Sequence, residues 1–185
     1  MLKSKKGIIF LAVLILLVLY VLIRPSFQMN GNNEKNIVKT IQSIDGYENK
    51  DSIEILKIFD SNHVHDRIVA FLYDNSPAYI HFYKNKDGNY KWTYAESKRG
   101  STDELFFVKI GKVMHSDHVL LVTNADTSVA KIKLTVIGES TKEFVLILHP
   151  KSASFIKLEN MPKPLNGDEY RFKYEYFDKD GKKIK

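Results

Sequence analysis

Cysteine is absent from all 185 residues. No disulfide can staple the fold, and thiol nucleophiles, thiolate metal ligands and lipidated cysteines are excluded with it. Catalytic signatures are missing too. The chain has no Gly-x-Ser-x-Gly elbow, no glycine-rich phosphate loop and no His-Glu-x-x-His helix. Asp178-Lys-Asp180-Gly181 opens like a calcium loop but lacks the third ligand before the glycine and the closing glutamate, so it reads as a tight turn. Dense basic clusters are also lacking. The formal charge is +6, yet without Lys3, Lys5, Lys6 and Arg24 the 28 basic residues fall to 24, against 22 acidic ones. That leaves no footprint for nucleic acid. No cofactor is indicated.

What is present begins with a long apolar run. Gly7–Ile23 is seventeen residues without a charge, fourteen of them Leu, Ile, Val or Phe. As a helix it would be about 25 Å long, slightly short of the ~30 Å hydrocarbon core, and snorkelling of Lys6 and Arg24 can absorb the difference. Lys3, Lys5 and Lys6 precede the run and only Arg24 follows it closely. The positive-inside bias therefore predicts a cytoplasmic N-terminus and a C-terminal domain outside the cell. A cleaved signal fits less well: the run exceeds a usual h-region, and Ile23-Arg24-Pro25-Ser26-Phe27 offers no small-x-small site. The expectation is a single-pass signal anchor in the cell membrane, with membrane contact through residues 7–23.

Periodicity then divides the remainder. After a short linker (27–32), Ile37, Val38, Ile41 and Ile44 recur at helical spacing, predicting an amphipathic helix over Asn33–Ile44. Beyond Gly46 the period becomes two. Strands are expected at Ser52–Phe59, Arg67–Tyr73, Ala78–Lys84, Tyr90–Ala95, Leu105–Ile110, His118–Thr123, Ala130–Ile137 and Glu143–Leu148, with pieces at Ser154–Leu158 and Tyr170–Phe177. Gly100–Glu104 is the best internal boundary. The expected organisation is 1–26 cytoplasmic tip and anchor, 33–99 a helix plus four-strand unit, and 100–185 a β-sandwich-like unit. The fold class is α+β and β-rich, with antiparallel sheets.

Two stretches carry a resemblance. Asn124-Ala-Asp-Thr-Ser-Val-Ala-Lys-Ile-Lys-Leu with Tyr176-Phe-Asp-Lys-Asp-Gly-Lys-Lys-Ile, and the Ile80-His-Phe-Tyr…Asp-Gly-Asn-Tyr-Lys-Trp hairpin, resemble single-pass, membrane-anchored surface proteins of Bacillus-like Firmicutes. The resemblance rests on strand and turn patterns and implies no activity.

Two groups of residues could carry function. His63-Val-His65-Asp66 and His115-Ser-Asp117-His118 supply four imidazoles, and a metal held by His63, His65, His115 and His118 is the chemistry they would serve. Solvated loop histidines are the simpler reading. In the aromatic hairpin, Tyr79, His81 and Tyr83 share one strand face, while Tyr90, Trp92 and Tyr94 share one face of the next. An even loop would gather all six on one side. An odd loop, with Gly88 left-handed, would pair Tyr90, Trp92 and Tyr94 with Ile80 and Phe82 in a core and leave Tyr79, His81 and Tyr83 exposed as a modest binding stripe. The odd register is expected because it makes a coherent apolar face. Together these features predict a non-catalytic extracellular binding or accessory module of the bacterial envelope, its partner another envelope protein or a cell-wall component. A metal-dependent enzyme or metal-binding protein is the alternative.

Overall fold

The computed structural model describes residues 9, 11–20, 30–61, 65–111, 117–166 and 169–184. Residues 11–20 form a helix, α1, whose large apolar side chains, Leu11 to Tyr20, stand 45–65% exposed. Among the described residues no helix is long and apolar enough to cross a membrane, and the expected anchor over 7–23 lies partly outside them.

The second helix, α2 (Glu34–Gln42), starts where Asn33 caps it by accepting a hydrogen bond from the Asn36 amide at 2.9 Å. Ile37 and Ile41, one turn apart, are fully buried. Among the described residues ten antiparallel strands follow: β1 (Ile53–Ser61), β2 (Asp66–Tyr73), β3 (Ser76–Lys84), β4 (Tyr90–Ser97), β5 (Asp103–Val108), β6 (His118–Thr123), β7 (Lys131–Ile137), β8 (Thr141–Ile147), β9 (Ser152–Lys157) and β10 (Arg171–Phe177). They make three sheets, ordered β1-β2-β3-β4, β5-β6-β9 and β10-β7-β8.

Burial stacks these elements in four layers. Val69, Phe71 and Tyr73 of β2 join Ile80 and Phe82 of β3 beneath Ile37 and Ile41 of α2. The alternate residues of β2, Ile68, Ala70 and Leu72, meet Phe106, Val108, Leu120 and Val122 of the second sheet. That sheet's other face, with Leu105, Val119 and Leu121, packs on Ile132, Leu134, Val136 and Leu146 of the third. β2 and β6 are thus covered on both faces, which explains their unbroken apolar runs Ile68–Tyr73 and Val119–Val122. Each fully buried side chain contributes roughly 1.5–3 kcal/mol, so a cysteine-free chain can hold itself by its core. The two units expected on either side of Gly100 share the core between the first and second sheets. The third sheet keeps one wet face, where Lys131, Lys133 and Thr135 alternate with buried Ile132, Leu134 and Val136.

Candidate functional site

The β3–β4 hairpin begins in the odd register. Lys84 pairs with Tyr90 and Phe82 with Trp92, around a turn in which Gly88 has φ +82°. The register then slips: His81 pairs with Tyr94, leaving Thr93 as an extra residue on β4. Thr93 Oγ1 lies 2.8 Å from His81 Nδ1 and donates to the His81 carbonyl at 3.2 Å, so one hydroxyl clamps the bulge. A one-residue slip moves everything beyond it to the opposite face. Tyr94 and Glu96 therefore join Tyr79 and His81 on the side turned toward the second sheet, whereas Trp92 stays with Phe82 on the α2 side.

This places a cleft of about 330 Å³ between β3–β4 and β5, lined by Tyr79, His81, Tyr94, Glu96, Phe107, Val108 and Lys109. Tyr79 forms its floor. It is 3% exposed, with its ring centroid 4.9 Å from Phe106 and 5.9 Å from Tyr94. Tyr94 donates its hydroxyl to Glu96 Oε2 at 3.1 Å. Burial, and then the neighbouring Glu96 carboxylate, push both phenols above their ordinary range. Both stay protonated at neutral pH and act as donors beside an acceptor carboxylate. Further along β5, burial raises the carboxyl of Glu104, with Asp103 and Glu96 adding to the rise and Lys98 opposing it.

His81 connects the cleft to its surroundings. Its Nε2 is buried and lies 3.3 Å from Asp66 Oδ1, without the alignment of a hydrogen bond. Asp66, itself buried, accepts at Oδ2 from the Gly111 amide at 2.7 Å. Thr93, His81 and Asp66 stand in the order of a nucleophile, base and carboxylate. However, the carboxylate contact is not aligned as a hydrogen bond, and the Thr93 hydroxyl is shared between the His81 ring and the His81 carbonyl, where it holds the bulge. The arrangement suits stacking and hydrogen bonding with a bound group.

The expected binding stripe is thus corrected in part. Tyr79, expected to be exposed, is buried because the second sheet covers that face of β3 through Phe106. His81 is half-buried, and Tyr83, 48% exposed, lies outside the cleft lining. Trp92, expected in the core, is 38% exposed because β4 is an edge strand. The contributions of Tyr94, Glu96 and Lys109 were not visible beforehand, since they depend on the bulge and on the approach of β5.

Of the four histidines of the metal alternative, His63 and His115 lie outside the described residues. His65 sits at φ +60° before β2, its carbonyl accepting from the Lys84 amide at 2.8 Å. His118 holds Asp117 Oδ1 at 2.6 Å through Nδ1 and stacks on Phe155 at 5.2 Å. Among the described residues no group of three or more His, Cys, Asp or Glu could hold a metal ion. The comparisons with known proteins give no further lead: no family model, characterised protein or solved structure matches this chain.

Proposed function

We propose that this chain is a membrane-anchored, non-catalytic binding or accessory module of the bacterial cell envelope. The observation that carries the reading is α1, whose apolar side chains from Leu11 to Tyr20 are uncovered by the domain and belong to the uncharged run 7–23. A helix that is apolar all round and unburied by protein needs another apolar medium, and lipid supplies it. The positive-inside bias places the sheets outside the cell. The Tyr79–Tyr94–Glu96 cleft is the ligand site in this reading, with aromatic faces for a sugar ring or an aliphatic stem and phenol and carboxylate groups for its polar atoms.

Fractionation tests it. The full chain is expected in the membrane fraction after a high-salt wash, with the domain digested when protease is added to wall-stripped cells. A salt-extractable chain, or a protected domain, would refute the anchor or its orientation respectively.

A second reading, metal-dependent chemistry, draws on one observation. The Asp66–Gly111 bond ties together the described ends of the two segments that carry His63/His65 and His115/His118. Zinc titration of the chain by calorimetry decides it: stoichiometric binding, lost in a His65→Ala/His118→Ala variant, would favour the metal over the cleft.

A further inference from the structure

The end of the domain through which the chain enters carries a group of lysines that have no ion pair among the described residues. Gly31 donates its amide to the Tyr90 carbonyl at 2.8 Å, Tyr90 donates its amide to Asn32 Oδ1 at 3.0 Å, and Asn32 Nδ2 donates to Asn89 Oδ1 at 2.8 Å. The entering segment is therefore fixed against the β3–β4 turn. Lys84 lies across from Tyr90, and Tyr83 pairs with both Lys91 and Asp66. Asp66 bonds Gly111, at the end of β5, and His118 pairs with both Val108 and Lys157. Lys84, Lys86, Lys91, Lys109 and Lys157 thus gather at one end of the first two sheets.

None of these five lysines has an ion pair among the described residues. Of the acids nearby, Asp60 is paired with Arg67, Asp66 is buried, and Asp117 is in hydrogen-bond contact with the His118 ring. Glu34, Asp87 and Glu159, without ion pairs among the described residues, stand against the five.

Chain length fixes where this end must lie. Only residues 25–29 separate Arg24, the first charge after the apolar run, from Asn30, which is buried in the domain. Six peptide steps span at most about 21 Å, so the β3–β4 turn hangs close to the bilayer whatever path the linker takes. We infer that this end is a docking surface for anionic phospholipid headgroups, with Lys84, Lys86, Lys91, Lys109 and Lys157 seated on lipid phosphates and the opposite end, around Ala125, held away from the membrane. This rests on the anchor reading. Each lysine brought within a Debye length of an anionic surface is attracted to it, and the tether has already removed the translational cost of finding that surface.

Energy transfer on the full chain in vesicles tests it, and the absence of cysteine makes single labels clean. Lys86→Cys labels the near end and Ala125→Cys the far one, both at exposed positions separated by about the 8-residue length of β2, roughly 25 Å. Transfer to a headgroup acceptor should be several-fold greater from residue 86 than from residue 125 when the vesicles contain phosphatidylglycerol. The contrast should shrink in phosphatidylcholine, in high salt, and when Lys84, Lys91, Lys109 and Lys157 are changed to Gln. If the chain fails to float with vesicles, the anchor reading falls and this inference with it. If it floats but the two labels transfer equally, or the contrast ignores lipid charge and salt, the docking surface is wrong and the anchor stands. A contrast that a soluble polyanion abolishes while the tethered domain binds that polyanion more strongly than the lipid would also overturn it.

Discussion

Arg67 and Asp60, paired across β1 and β2, are joined by two bonds, Nε to Oδ1 at 2.6 Å and Nη2 to Oδ2 at 2.9 Å. The same guanidinium donates to the Gly31 carbonyl and lies 4.1 Å over the Tyr90 ring. The Asp60 carboxylate beside it raises the guanidinium above its usual range, although burial acts the other way. One side chain therefore fastens the segment entering the domain to two strands of the first sheet. Arg67→Ala should cost about 2 kcal/mol in urea unfolding, because bonds to charged groups are worth roughly 1.5–3 kcal/mol and the Gly31 carbonyl loses its donor. Arg67→Lys should recover less than half, since it keeps the charge but loses the planar fork. A full rescue by lysine would show that charge alone matters.

Trp92 tests the hairpin register. At 38% exposure on an edge strand, its indole should emit at intermediate wavelength and be quenched readily by acrylamide. Trp92→Ala should cost about 1 kcal/mol, well below the roughly 3–5 kcal/mol of a core aromatic. Phe71→Ala, at a fully buried ring edge-on to Tyr47 at 5.8 Å, should show the larger figure. Equal losses would mean that β4 is covered by something beyond this domain.

The contrast between these two aromatics also marks how far the residue order could be read. Every strand among the described residues was visible from period two or from unbroken apolar runs, and α2 from the spacing of Ile37, Val38, Ile41 and Ile44, because those patterns encode which faces are buried. The cleft was not visible. It depends on Thr93, whose hydroxyl holds a bulge through His81, and a threonine in a strand carries no mark that it will do so. Nor does alternation say which neighbour covers a face: Tyr79 was expected outside, and Phe106, twenty-seven residues later, puts it inside.

Glu104 gives the domain a pH dependence of definite sign. Its carboxyl is raised above 4.5, first by burial, so the folded state binds its proton more tightly than the unfolded chain does. Stability from this group is present below the unfolded value and is lost as pH rises through the raised folded value. Glu104→Gln should therefore raise the melting temperature at pH 7 and leave it nearly unchanged at pH 4. A variant less stable than the parent at pH 7 would show that the contact with Lys98 outweighs burial.

The connection between β7 and β8 should be the least tolerant glycine position. A Cβ on Gly138 would stand 2.0 Å from the Lys163 carbonyl oxygen and 3.0 Å from its carbon. That carbonyl is fixed, because it accepts the Glu139 amide at 2.8 Å, and the adjacent Pro162 carbonyl accepts the Tyr170 hydroxyl at 2.9 Å. Alanine must push the whole segment off the third sheet and break both bonds. The expected loss is about 3 kcal/mol or more, the upper end of overpacking penalties with an unpaired amide added. Gly181 provides the comparison. It has open space around its Cβ position but φ +79°, so Gly181→Ala should cost only about 1–2 kcal/mol from left-handed strain. Urea unfolding of the two variants separates steric exclusion from backbone strain. If Gly138→Ala proved the milder, the segment around Lys163 would have to be free to lift from the β7–β8 turn.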